Sequence, residues 1–127
     1  MAHGTATIGK DRYRTEIEVG GHSLVADEPP ALGGGAVGPA PYDLLLASLG
    51  ACTAITLRMY ADRKQWPLES VEVGLRLSGQ HPDRRINRTL KITGLDDEQA
   101  ARLADIAERT PVTLTLKDGL PIDTRLV

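Results

Sequence analysis

Residues 41–64 read PYDLLLASLGACTAITLRMYADRK, and the fold depends on how that one segment can be covered. Pro41 suits the first position of a helix, where a missing N–H costs nothing. Asp43, two places on, suits the positive end of the helix dipole. Trp66-Pro67 disfavours further helix, so the expected span is 41–65. Viewed down its axis, Leu44, Leu45, Leu46, Leu49, Ala51, Cys52, Ala54, Ile55 and Leu57 leave no charged face before Arg58. A helix that is apolar all round has to be covered all round. One small sheet covers one side, so the sequence implies a second copy of the chain on the other, as an intimate homodimer.

Upstream, residues 3–27 read as a meander. The stretch YRTEIEV alternates, with Tyr13, Thr15, Ile17 and Val19 on one face and Arg14, Glu16 and Glu18 on the other. Gly20-Gly21 supplies the positive φ angles of a two-residue hairpin turn. Residues 28–40 are rich in Gly and Pro, which excludes a helix or an inner strand and leaves a lid or chain crossing. The glycines of LGGGAVG do not follow a strand and open a helix at phosphate-loop spacing, so nucleotide binding is not expected.

Downstream, residues 70–94 form a hairpin with Val71, Val73, Leu75 and Leu77 facing in. QHPDRR turns it and INRTLKIT returns. A second helix over 96–109 starts with Asp96 and Gln99 as a capping box and carries Ala100, Leu103, Ala104 and Ala107 as its apolar stripe. The tail, 110–127, reads by pattern alone as strand, Asp-Gly turn, strand. Strands segregated from helices in the order βββ-α-ββ-α-β give an α+β fold with antiparallel pairing, as one domain over 1–127.

Composition narrows the function classes. At 127 residues there is material for one core, and 41% apolar with 25% charged residues is globular. A net charge of −2 gives no case for nucleic acid or an anionic membrane. The uncharged run 44–57 is short for a bilayer and is interrupted by Ser48, Gly50, Thr53 and Thr56. No segment has a signal-peptide pattern, and a single cysteine cannot form an intramolecular disulfide, so the cytoplasm is the expected compartment. His3, His22 and His81 are scattered, so no metal site and no cofactor are expected.

Cys52 has two readings from position alone. An unpaired cysteine on an apolar helix packs as a small hydrophobe. A reactive thiolate needs a neighbouring cation, and the local sequence offers none before Arg58, so the charge would come from another segment or a partner chain. Arg88 lies in phase with Ile86, Leu90 and Ile92 on the apolar face of its strand. It is either an interface or strand-end arginine, or a buried cation near Asp43 or Cys52. Met59 and Tyr60 read as packing residues.

The segments GPAPYDLLLASLGACTAITLRMYA, ADEPPALGGGAVGP and LADIAERTPVTLTLKDGLPIDTRLV resemble the OsmC/Ohr family of osmotically inducible and organic hydroperoxide resistance proteins. The PYDLLLA start resembles its less characterised single-cysteine branch. The resemblance implies an OsmC-like fold, an intertwined homodimer with sites at the interface, and a short helix in PVTLTL before a final strand. In peroxidase members a thiolate on the long helix attacks the peroxide and a second cysteine resolves the sulfenic acid. Cys52 falls on the peroxidatic position. Thr110 stands where the second cysteine would be. Tyr42 replaces the glutamate after the proline, with Asp43 one place later, and the arginine of the first turn corresponds most nearly to Lys10 or else to Arg12. Tyr42 and Arg88 are candidates for the pocket. The resemblance implies a one-cysteine reductase of organic hydroperoxides served by an external thiol or dithiol. The alternative is a non-catalytic dimeric binder of small ligands that keeps the fold.

Overall fold

The computed structural model describes residues 2–127. These group into one unit ending at Leu45 and a second, Leu46–Val127.

In the first unit β1 (Gly4–Thr7), β2 (Thr15–Val19) and β3 (His22–Ala26) form an antiparallel sheet in that order. Ile17 sits opposite Ala6 on one side and Leu24 on the other. The expected turn is present, with Gly20 and Gly21 at φ of 58° and 81°. Thr15 and Ile17 are less exposed than Glu16 and Glu18, so the alternation read from the sequence is the one that folds. The segment 28–40 returns tightly on β3: Asp27 N–H donates to the Pro39 carbonyl at 3.1 Å. At Gly34 and Gly38 a Cβ would collide with the Glu28 and Val25 carbonyls, so only glycine permits this path.

The long helix α1 (Pro41–Lys64) ends one residue before the expected boundary, with Gln65 at φ 57°. Within the second unit it is followed by the hairpin β4 (Ser70–Ser78) and β5 (Arg85–Thr93), then α2 (Asp97–Ala107) and α3 (Pro111–Asp118). Val73 pairs with Leu90, Leu75 with Arg88 and Leu77 with Ile86. The capping box of α2 is closed by Gln99 N–H to Asp96 Oδ1 at 2.8 Å and Asp96 N–H to Gln99 Oε1 at 3.1 Å. Leu57 and Ala61 of α1 meet Leu68, Leu103 and Ala107 in the buried core, with Val71, Leu90 and Ile92 against them. A Cβ on Gly50 would lie 2.9 Å from Leu75 Cδ1, so glycine sets the approach of α1 to β4. Arg58, the first basic residue on the helix, donates to the Leu68 and Glu69 carbonyls and holds the chain leaving α1.

One expectation needs correction. The final strand is absent: residues 119–127 carry no ladder, because a strand exists only when its backbone groups find a partner, and no described segment of this chain pairs with them. An 18-residue window of α1 is long and apolar enough to cross a bilayer by length and composition, with mean hydropathy 1.5. Only Leu49, Thr53, Leu57 and Ala61, spaced at i, i+4, are buried, while Ile55 and Met59 are 54% and 57% exposed. The helix is covered on one side.

Candidate functional site

Cys52 is half-buried in the middle of α1, too far from that helix's own N-terminus for its dipole to help. A backbone donor reaches it from α3. Pro111 opens α3, so the first N–H of that helix is missing, and the next, on Val112, donates to Cys52 Sγ at 3.5 Å. The first intrahelical bond of α3 is Leu114 N–H to the Thr110 carbonyl, so Val112 N–H has no helical acceptor to spend itself on. Thr56 Oγ1 lies 4.0 Å from the sulfur one turn further along α1. The sulfur therefore faces the N-terminus of α3.

Next to this contact lies a buried polar cluster. Arg88 turns inward from β5, its side chain 13% exposed. Its Nη1 donates to Thr53 Oγ1 at 3.0 Å and to Thr113 Oγ1 at 2.9 Å. Its Nη2 donates to the Ala107 carbonyl at 2.8 Å and to Glu108 Oε2 at 3.3 Å. Arg88 thus turns inward, with Glu108 and not Asp43 as its carboxylate partner. Thr110 is fully buried, and its hydroxyl is 2.6 Å from that of Thr113.

The remaining sequence candidates lie in the first unit. Lys10 and Arg12 are exposed in the bend between β1 and β2. Asp43 caps the start of α1, its Oδ2 accepting from Ala40 N–H at 3.0 Å, and Tyr42 beside it is half-exposed. The organiser of this region is a residue that sequence reading passed over. Asp27, 3% exposed, takes Tyr13 and Glu28 N–H on Oδ1 at 2.9 and 2.7 Å, and Gly35 and Val37 N–H on Oδ2 at 3.2 Å each. The Tyr13 N–H foremost, with the other three, holds its carboxyl below the ordinary range against burial, which pushes the other way. Asp27 thereby ties the bend after Arg12 to the Gly-rich segment. The available signal was an Asp-Glu pair directly ahead of a Pro-Pro, Gly-rich stretch. Val112 gave none, because its contribution is a backbone group.

A groove of about 500 Å³ on the second unit is lined by Tyr60, Lys64, Trp66, Glu98 and Arg102 among others. Tyr60 does more than pack: its hydroxyl accepts from Arg102 Nε at 3.1 Å, which lowers the phenol below its ordinary range. Arg102 also pairs with Asp105 at 3.1 Å. Among the described residues no His, Cys, Asp and Glu cluster is placed to hold a metal.

The sequence profile of the OsmC-like proteins matches residues 33–125. No curated protein matches by sequence. Among solved structures, an OsmC-like protein from Mycoplasma pneumoniae superposes with a TM-score of 0.78 at 21% identity, over 92% of this chain and 87% of that one. An organic hydroperoxide resistance protein OsmC from Legionella pneumophila gives 0.69 at 23%, over 92% and 89%. An organic hydroperoxide resistance protein from Elizabethkingia anophelis gives 0.63 at 19%, over 85% and 81%. At these identities the likeness is one of fold.

Proposed function

The chain belongs to the OsmC-like protein family, and on that premise we propose that it serves peroxide defence, with Cys52 reducing organic hydroperoxides as a one-cysteine peroxidase. The observation that carries the reading is the Val112 N–H directed at Cys52 Sγ from the start of α3. The names borne by the Legionella pneumophila and Elizabethkingia anophelis proteins give the substrate class.

In the first step the Cys52 thiolate attacks the terminal oxygen of the hydroperoxide. The O–O bond breaks, an S–O bond forms, and the departing alkoxide takes a proton and leaves as the alcohol. Sulfur loses two electrons and the peroxide gains them. The chain has one cysteine, and Thr110 offers a hydroxyl where a second thiol would resolve the sulfenic acid. Resolution therefore falls to an external thiol or dithiol: one thiol displaces water to give a mixed disulfide, and a second releases Cys52.

We also assign the exposed side of α1 to a second copy of the chain. Ile55 and Met59 of α1, and Ile122 and Leu126 of the tail, are apolar side chains open to water in one copy. A homodimer covers them without placing the Arg88 side of the fold in lipid. Sedimentation at micromolar concentration tests this, and a monomer refutes it.

Titrating the reduced protein with cumene hydroperoxide while following Cys52 by mass spectrometry tests the enzyme reading. Oxidation no faster than that of N-acetylcysteine refutes it. A second reading, a dimeric small-ligand binder without turnover, is favoured by Thr110, whose hydroxyl is already committed to Thr113. Peroxide protection in cells that survives Cys52→Ser would select it.

A further inference from the structure

We infer that Arg88 is a positioning residue for the Cys52 thiol, locking the start of α3 against the middle of α1 so that the Val112 N–H stays on the sulfur. The inference rests on Cys52 being the reacting group, and goes beyond that reading by naming what holds it.

Two links join α1 to α3, one residue apart on each. The first is Cys52 Sγ with Val112 N–H at 3.5 Å. The second is Thr53 and Thr113, bridged by one nitrogen of Arg88 at 3.0 and 2.9 Å. The Thr53 hydroxyl donates to the Leu49 carbonyl at 2.7 Å, so its oxygen is left to accept from Arg88. Thr113 also reaches the Ala107 carbonyl, which Arg88 Nη2 holds at 2.8 Å, fixing the end of α2 where the chain turns toward α3. Three helices thus meet on one guanidinium. Lysine cannot reproduce this, because an ammonium lacks the planar fork that spans acceptors on separate elements. A cation under a sheet is costly to desolvate, and an apolar residue at position 88 would serve packing as well or better. The arrangement makes sense as a device for geometry at the neighbouring sulfur.

The test compares Cys52 reaction rates in the full-length protein with two reagents, cumene hydroperoxide and iodoacetamide. Arg88→Met and Arg88→Lys are expected to slow both by about tenfold, and Thr113→Val by about threefold, consistent with loss of a charged or neutral hydrogen bond. Thr113→Ser, which keeps the oxygen, is expected to restore the rate. Leu68→Ala, a core truncation outside the cluster, is the control, losing melting temperature while keeping the Cys52 rates. If Arg88→Met folds poorly, the Thr113→Val and Thr113→Ser pair decides alone. Wild-type iodoacetamide rates in Thr113→Val, or equal slowing in Leu68→Ala, overturn the inference. If wild-type Cys52 reacts with the hydroperoxide no faster than N-acetylcysteine, the peroxidase reading falls by itself. Slowed alkylation in the variants then still supports Arg88 as the group that sets the thiol's surroundings.

Discussion

Asp27 and Cys52 each receive backbone N–H groups from a distant segment, and they are satisfied to very different degrees. Asp27 is a buried carboxylate with four N–H donors at 2.7 to 3.2 Å, two on each oxygen. Its acceptor capacity is used, so it has nothing left to offer a ligand and acts on the fold. Cys52 is half-buried, with one N–H at 3.5 Å and a hydroxyl at 4.0 Å. Its sulfur is oriented but not saturated. The lesson is that a fully satisfied buried polar group is spent on the fold, while one with few partners keeps room for another contact.

The sharpest break of this contrast is Cys52→Ser. It is expected to abolish hydroperoxide consumption, read by loss of cumene hydroperoxide, while changing stability by less than about 1 kcal/mol, since a near-isosteric swap at a half-buried site opens no cavity. Leu57→Ala tests the packing on the other side of the same helix. Leu57 is fully buried, and its truncation should cost about 2–5 kcal/mol in denaturant unfolding.

Asp27→Asn should lower the melting temperature at neutral pH, because an amide cannot accept four N–H groups as a carboxylate does. The sign of its pH dependence follows from linkage. The folded-state carboxyl lies below its ordinary value of 3.8, so its stabilisation is fully present above that value and is lost as pH falls through the folded value. Unfolding curves taken from neutral pH to below about 4 should therefore fall more steeply for the unsubstituted protein than for Asp27→Asn. Equal slopes would show that Asp27 is not the saturated charge described here.

The smallest expected stability effect is that of Thr110→Cys, which exchanges one buried hydroxyl for a thiol. Its value is chemical: after one equivalent of cumene hydroperoxide, mass spectrometry should find both thiols consumed without the added oxygens of sulfinic acid. Two free thiols after oxidation would show that position 110 cannot resolve Cys52.

Much of the fold was legible because short-range chemistry dictates it. Gly20-Gly21, the Asp96–Gln99 box, the alternation of β4 and the Pro41 start each depend on residues within one turn of each other. The family was legible from the helix motif around Cys52. The setting of Cys52 was not. Local sequence offered no cation, and the donor found is the main-chain N–H of Val112, sixty positions away, which no residue type announces. Arg88 was visible as a misfit on an apolar strand face, yet its partners belong to three other elements. The final strand failed for a related reason, since alternation permits a strand but only a neighbouring edge makes one.

By itself, then, the sequence determined where helices start, where strands turn and which faces are apolar, because propensity, capping and periodicity act over a few residues. Tertiary structure alone decided that Asp27 would be saturated and Cys52 merely oriented. Those outcomes depend on where backbone donors from remote segments arrive, and a backbone donor is the same in every residue except proline.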